Sequence, residues 1–273
     1  MGKSFNFAWG ATLALWRGPL RMCIFPPMTV IAQDILTGPD YPGPAWHREV
    51  ADDLAPRLTP PSGFPCTFSQ NAFRRGLVDF IFVERRDAEG LAQLRADLAA
   101  YLADAATWDG QVNTARPLVI AFSPAAVPPG DLASYHAFGW RILQDWHDND
   151  PAPWPEDVSR DPDTPYWSMC FDGMQLFVNM SAPAHVTRKS RNLGRHFLFI
   201  VNPRERFDVV AGETPDGARV REVIRARAEA YDGLPHAPVL GKFLKGELEW
   251  PQYALPDDNE NFPSACPFRP RGK

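Results

Sequence analysis

A concentrated group of hydrogen-bond donors occupies the segment from Asn179 to His196, between two strongly apolar stretches of the chain. Its basic and imidazole side chains are His185, Arg188, Lys189, Arg191, Arg195 and His196. Arginine binds carboxylates and phosphates because its planar fork donates two parallel hydrogen bonds. In a chain whose formal net charge is -5, this local excess of donors predicts an anionic ligand. A solvated surface loop is the alternative interpretation.

Two histidines of this segment could bind a metal. A neutral imidazole is a good ligand for iron or zinc when a second partner fixes the orientation of its ring. His185 follows Pro183 in a loop that leaves a strand, and it is the first candidate. His196 opens the next apolar strand and is the second choice. For both, a structural hydrogen-bonding histidine is the alternative.

Other potential ligands lie outside the segment. His136 and His147 share one stripe of a predicted helix, but the helix rise puts them about 16 Å apart, too far to hold one ion together. That helix is therefore interpreted as mainly structural. Cys66 could supply a thiolate to haem iron. The glycine-rich cysteine loop of cytochromes P450 is absent, however, and a small buried side chain is the alternative for Cys66.

Periodicity and turn signals predict the elements that must position these residues. The predicted strands are Val78–Glu84, Pro117–Phe122, Tyr166–Phe171, Gln175–Met180 and Arg195–Val201. The predicted helices begin at Asp87, Asp131 and Arg219 and end near Ala106, His147 and Tyr231. Asp172-Gly173 predicts a tight hairpin.

This β-α-β-α-β-β-β-α order predicts an α/β fold, with α+β as the alternative. The first two crossovers favour parallel pairing and the hairpin requires an antiparallel pair, so we expect a mixed, partly antiparallel sheet flanked by helices. The 29 prolines predict long ordered loops. We expect a single domain over residues 1–273, in which residues 1–60 could form a loop-rich N-terminal extension.

Composition excludes several classes of function. The negative net charge argues against nucleic acid as the main partner. The four cysteines, Cys23, Cys66, Cys170 and Cys266, form no CxxC pair, which favours a reducing cytoplasm over a disulfide framework. The apolar stretch Phe5–Trp16 is too interrupted for a signal peptide, and no run approaches the roughly 20 apolar residues of a membrane span. P-loop, GxGxxG, GxSxG and HExxH motifs are absent.

Several short islands, in order along the chain, resemble the YqcI/YcgG-like family. They are Phe64-Pro65-Cys66, His185 with Ser190-Arg191, Phe197–Arg204, Phe207-Asp208, Glu249–Tyr253 and Cys266-Pro267-Phe268. The resemblance implies a protein that binds haem b and hydroxylates nitrogen on free amino acids or small amines in natural-product biosynthesis. The guanidino nitrogen of an arginine-like substrate is favoured.

The resemblance also implies roles for residues. His185 would be the axial ligand of the haem iron, with Arg188, Ser190 and Arg191 as further cofactor-binding residues. The family commonly has a His-Pro pair before its Ser-Arg element, whereas in this sequence His185 is followed by Val186. An acidic group should receive the cationic end of the substrate, and Asp145, Asp148 and Asp172 are candidates among which the sequence does not choose.

The expected partners are an amino-acid or amine substrate and either peroxide or dioxygen, with a reductase and a second copy of the chain as optional ones. Neither nucleic acid nor a membrane is expected. Two alternatives are open: a haem-binding carrier or sensor without oxygenase activity, and an enzyme without haem that uses the loop around His185 and Arg191 to hold a phosphorylated or carboxylated metabolite.

Overall fold

A computed structural model describes residues 30–212, 214–240 and 246–271 of the chain. Its helices are α1 (Gln33–Thr37), α2 (Ala45–Leu58), α3 (Thr67–Arg74), α4 (Ala88–Ala105), α5 (Leu132–Asp148), α6 (Arg204–Ala211) and α7 (Pro215–Asp232). Its strands are β1 (Ile31–Ala32), β2 (Asp79–Val83), β3 (Leu118–Phe122), β4 (Met169–Phe171), β5 (Met174–Ser181) and β6 (Phe197–Pro203). Short 3₁₀ turns cover Val112–Thr114, Lys189–Arg191 and Trp250–Gln252. The predictions made for Phe5–Trp16 and Cys23 lie outside the described residues.

The six strands form one mixed sheet in the order β1-β2-β3-β6-β5-β4. Only β2 and β3 pair in parallel, and every other neighbouring pair is antiparallel. Helices cover both faces, so the prediction of an α/β fold with a mixed, partly antiparallel sheet is confirmed.

Local signals fixed the elements that the sequence predicted. The Asp87 side chain accepts a hydrogen bond from the Gly90 amide at the start of α4, and Asp131 caps α5 in the same way. The hairpin between β4 and β5 turns at Asp172 and Gly173, whose φ angles of 50° and 74° are both positive. Asp and Gly tolerate that conformation, which the tight turn requires.

One expectation was wrong. The second crossover, from β3 through α5 to β4, does not lead to parallel pairing: β4 is an edge strand, and β6 and β5 lie between it and β3. Of the possible loop-rich extension over residues 1–60, the described part, residues 30–60, contains β1, α1 and the whole of α2. The buried positions of α2 (His47, Val50, Ala51, Leu54 and Leu58) do follow helical spacing, but Pro56 and the surrounding prolines obscured it.

Each face of the sheet has its own apolar core. Strand residues alternate between the two faces. Ile120 and Phe199 face a core built with α4, α5 and the C-terminal segment. Val119 and Leu198 face a core built with α1, α2 and α3. The two faces therefore present different surroundings to the loop that joins β5 to β6.

Candidate functional site

A cavity of about 400 Å³ lies between the sheet and helices α2, α3 and α7. Its floor consists of strand residues on the face that α2 and α3 cover: Val119, Phe177, Asn179, Ile200 and Asn202. Ile200 pairs directly with both Val119 and Asn179, so these three side chains point to the same side. One stripe of α7, comprising Arg221, Ile224, Arg225, Ala228 and Asp232, forms the opposite wall.

Most of the cavity lining is apolar, and most of the charged residues in the lining carry a positive charge. Among the described residues, six arginines line it, namely Arg188, Arg191, Arg204, Arg206, Arg221 and Arg225, whereas the acidic lining residues are Asp208 and Asp232. Such an excess of guanidinium groups inside a largely apolar space favours a ligand that carries negative charge on an apolar body.

Arg188 fastens the β5–β6 loop to the C-terminal segment. Its side chain is buried and donates to the carbonyl oxygens of Pro256 and Asp258 and to Asn259 Oδ1, each at 2.8 Å. Burial lowers the pKa of Arg188, and the nearby carboxylates, Asp232 first, oppose that shift. The guanidinium therefore contributes to the cavity wall while much of its donor capacity is used by the fold.

Ser190 is held at the C-terminal end of α7. Its backbone amide and its hydroxyl each donate to the Asp232 carboxylate at 2.7 Å. Asp232 is buried and also lines the cavity. This pair fixes the position of the short turn Lys189–Arg191 relative to α7.

Arg191 differs from its neighbours because its guanidinium has no hydrogen-bond or ion-pair partner among residues 30–212, 214–240 and 246–271. Its Nη1 atom is buried. Burial, and then the charge of Arg188, lower the pKa of Arg191 to about 9, against the opposing effect of Asp232. A buried arginine that lines a cavity and has no counter-charge favours the binding of an anionic ligand there.

The structure does not bring His185 to the cavity. Its ring is buried 5.9 Å from the ring of His136 on α5, measured between centroids, and His185 is not among the residues that line the cavity. His185 Nδ1 lies 3.2 Å from Asp257 Oδ1, and Nε2 is buried without a partner among the described residues. Burial lowers the pKa of His185 to about 4 and that of His136 to about 3, so both rings are neutral at pH 7.

His196, the second choice for a metal ligand, also lies away from the cavity. Its buried ring packs 5.2 Å from that of Trp46, and Nε2 is 3.6 Å from a carboxylate oxygen of Glu49 on α2. Of the five sequence-predicted site residues, the cavity thus gathers Arg188, Ser190 and Arg191, and it leaves out both histidines.

Sequence reasoning gave too little weight to two residues of the cavity wall. Cys66 is the N-cap of α3, where Sγ accepts a hydrogen bond from the Ser69 amide at 3.4 Å. His236 follows α7, and its Nδ1 lies 2.5 Å from Glu229 Oε1. A signal for this wall was available, because the polar residues of α7 recur at helical spacing beside its apolar stripe.

Within the described ranges, no three His, Cys, Asp or Glu side chains come together as a metal site would require. In the same part of the chain, none of the helices has the length and apolarity needed to cross a membrane.

The segments that form the cavity lie in the part of the chain that is similar to known proteins. A family model described as "YqcI/YcgG family" matches residues 56–269. A Streptomyces lavendulae protein named "Putative N(omega)-hydroxy-L-arginine synthase DcsA" is 54% identical over 83% of this chain and 85% of its own length. Two Bacillus subtilis proteins, "Uncharacterized protein YcgG" and "Uncharacterized protein YqcI", are 34% and 33% identical, each over 82% of this chain and 88% of its own length.

No solved structure matches the chain significantly. The family match extends from within α2 to the C-terminal segment that holds Arg188, and so includes both walls of the cavity. By this match and the identity of its relatives, the chain belongs to the YqcI/YcgG family.

Proposed function

We propose that this protein hydroxylates a side-chain nitrogen of a free amino acid, with the guanidino nitrogen of L-arginine as the favoured target. The observation that carries the proposal is an apolar cavity with an arginine-rich wall, in a chain 54% identical to a protein named as an N(omega)-hydroxy-L-arginine synthase with the qualifier "putative". The cavity gives a small amphipathic substrate a place to bind away from bulk water.

The cavity also fits haem b, which we propose as the cofactor. Haem is a large apolar disc with two carboxylate-bearing side chains, and a lining of this kind offers both apolar contacts and guanidinium donors. Of the cofactor-binding residues expected from the sequence, Arg188 and Ser190 are the proposed haem contacts at one end of the cavity, and Arg191 beside them is open to the substrate. Bound haem would supply an iron centre that activates peroxide or dioxygen, and the protein would orient the substrate against it.

The iron ligand is a separate question. From the sequence, His185 is the proposed ligand, and its Asp257-supported ring with a free Nε2 has the arrangement common to metal-bound imidazoles. That Nε2 atom does not line the cavity, however, whereas Cys66 and His236 do. The three assignments can be distinguished, because each predicts that the absorption spectrum of the haem changes when a different residue is substituted: His185, Cys66 or His236.

Recognition of a cationic substrate end requires an acid on the cavity wall. The candidates Asp145, Asp148 and Asp172 do not line the cavity. Of the two acids that do, Asp232 is occupied by Ser190. Asp208 is therefore the proposed partner of the guanidinium, and its carboxylate also lies 4.0 Å from Arg204 Nε. Burial raises the pKa of Asp208, and the charge of Arg204 opposes that shift.

The balance of the reaction sets the co-substrates. With peroxide, one oxygen atom enters the N–H bond and the other leaves as water. With dioxygen, two electrons and two protons from a reductase are needed to form that water. We expect the haem-loaded protein to convert L-arginine into a product heavier by one oxygen atom, detected by mass spectrometry in parallel peroxide and dioxygen-plus-reductant reactions.

A matched control is protein from which haem has been removed, which should form no product under either condition. A preparation with a Soret band but without product across amino acids and simple amines would favour a haem carrier or sensor instead. A preparation that takes up no haem would contradict the cofactor proposal.

A further inference from the structure

Arg191 is the one cavity arginine for which the described chain provides no partner. Arg188 donates to the C-terminal segment, Arg206 to Tyr101 and the Arg116 carbonyl, and Arg225 to the Leu240 carbonyl. Arg204 pairs with Glu249, and Arg221 donates to the Gly212 carbonyl. Five of the six guanidinium groups are thus engaged by the protein, and Arg191 is the exception.

A buried charge without a partner is unfavourable unless a ligand supplies the missing interactions. Arg191 lines the cavity, and its Nη1 atom is excluded from solvent. Asp232, the acid whose charge acts on Arg191, already accepts two hydrogen bonds from Ser190. The guanidinium is therefore available to a ligand in the cavity.

The backbone around Arg191 is fixed on both sides, which makes the guanidinium a preorganised receptor. The Ala182 amide and the Ser181 hydroxyl donate to the Arg191 carbonyl oxygen at 3.0 and 2.9 Å. The Asn192 side-chain amide donates to the carbonyl oxygens of Pro183 and His185. Little conformational freedom remains to be lost by this turn when a ligand binds.

A carboxylate suits this receptor better than a larger anion. The planar fork of arginine donates hydrogen bonds to both carboxylate oxygens at once. The surrounding lining is mostly apolar, and the neighbouring Asp232 would repel a group with more than one negative charge. Two carboxylates could come here, that of the amino-acid substrate and a propionate of haem.

We propose that Arg191 binds the α-carboxylate of the substrate and thereby selects free amino acids over the corresponding amines. This inference rests on the proposed function, because it takes L-arginine as the ligand. It makes Arg191 a specificity-determining residue whose role is visible in binding as well as in turnover.

The experiment compares L-arginine with agmatine, which lacks only the carboxylate. Binding of each to the haem-loaded protein is measured by calorimetry, for the wild type, Arg191→Met and Arg191→Lys. We expect the wild type to bind L-arginine roughly 10- to 100-fold more tightly than agmatine, as one charged hydrogen-bonding pair implies. Arg191→Met should lose that preference by weakening L-arginine alone, and Arg191→Lys should retain part of it.

The matched control is Arg219→Met, which removes an arginine from the exposed surface of α7, where its side chain is 79% exposed. It should bind both ligands as the wild type does. Thermal unfolding of each variant checks that the fold is intact.

The outcomes separate the possibilities. An unchanged preference in a folded Arg191→Met variant overturns the inference while leaving the proposed function in place. Loss of haem from Arg191→Met, with the preference unchanged in the fraction that keeps haem, overturns it in favour of a propionate contact. If the wild type binds neither ligand and forms no product, the proposed function itself fails, and the inference fails with it.

Discussion

The imidazole of His185 and the carboxylate of Asp257 join the β5–β6 loop to the C-terminal segment, with Nδ1 and Oδ1 3.2 Å apart. The same carboxylate accepts hydrogen bonds from the backbone amides of Val186, Thr187 and Arg188, at 2.8 to 3.2 Å. Burial raises the pKa of Asp257, but these hydrogen bonds together lower it to about 2. The ionised carboxylate therefore organises the loop whose next residues reach the cavity.

Asp257→Asn should destabilise the protein. The substitution removes the charge and replaces one acceptor oxygen with a donor, so at least one of the three amides loses its partner. We expect the free energy of unfolding to fall by roughly 1.5–3 kcal/mol, the range for losing a hydrogen bond to a charged group. Urea unfolding at neutral pH measures this change.

The control for Asp257→Asn is Asp216→Asn, since Asp216 is 92% exposed and its nearest cation, Arg219, is 3.8 Å away. It should change stability by less than about 0.5 kcal/mol. Equal stabilities of the two variants would show that the Asp257 carboxylate does not organise the loop.

Stability should fall as the pH is lowered from 6.5 towards 4. An unfolded histidine takes up a proton near pH 6.5. His185 in the folded protein stays neutral until about pH 4, because burial lowers its pKa. The unfolded state then binds more protons across this interval, so the free energy of unfolding decreases as the pH falls. The difference between the two pKa values corresponds to roughly 3 kcal/mol.

The contribution of His185 is isolated by His185→Gln, which cannot titrate. Urea unfolding across the same interval should show a shallower pH dependence for the variant than for the wild type. Asp257 does not affect this comparison. Its contribution to the stability of the protein is lost only as the pH falls below about 4, towards its folded pKa of about 2. Parallel curves for the two proteins would contradict a neutral buried His185.

The sequence predicted features that depend on neighbouring residues and missed those that depend on distant ones. Asp87, Asp131 and Asp172-Gly173 marked two helix starts and a turn through their own backbone preferences. The insertion of β6 between β3 and β5 could not be predicted, because it depends on which distant strand edges pair.

The candidate site was predicted in part for the same reason. Ser190 and Arg191 reach the cavity, but His185, only a few positions away, packs beside His136 of α5 and does not line it. A loop at the end of a sheet can direct its side chains to either face, and sequence proximity does not determine which. Cys66 reaches the cavity through the packing of α3, which no local signal indicated.

His185→Ala tests the sequence-based iron ligand. If His185 holds the iron, the variant should lose most of its haem, because the axial bond is removed, and the Soret band of the purified protein should shrink accordingly. Full haem occupancy with an unchanged spectrum would exclude His185. Cys66→Ser and His236→Ala, measured in the same way, then show which residue of the cavity wall binds the iron.

Glu249 and Arg204 form a buried ion pair, and Arg204 is one of the residues that line the cavity. The Glu249 side chain is fully buried and that of Arg204 is 11% exposed. Glu249 Oε1 also accepts hydrogen bonds from the Ser168 hydroxyl at 2.8 Å and the Tyr253 hydroxyl at 2.7 Å. The carboxylate thus connects the region before β4, the C-terminal segment and the first residue of α6.

Glu249→Gln should be destabilising because it removes the buried counter-charge of the Arg204 guanidinium and leaves the more exposed Asp208, 4.0 Å from Arg204 Nε, to oppose that charge. We expect a loss of about 3–5 kcal/mol in the free energy of unfolding, measured by urea denaturation. The double variant Glu249→Met with Arg204→Met removes both charges and should be more stable than Glu249→Gln, since no isolated charge remains buried. A double variant less stable than Glu249→Gln would show that the hydroxyl contacts of Glu249, rather than its charge, hold this part of the fold together.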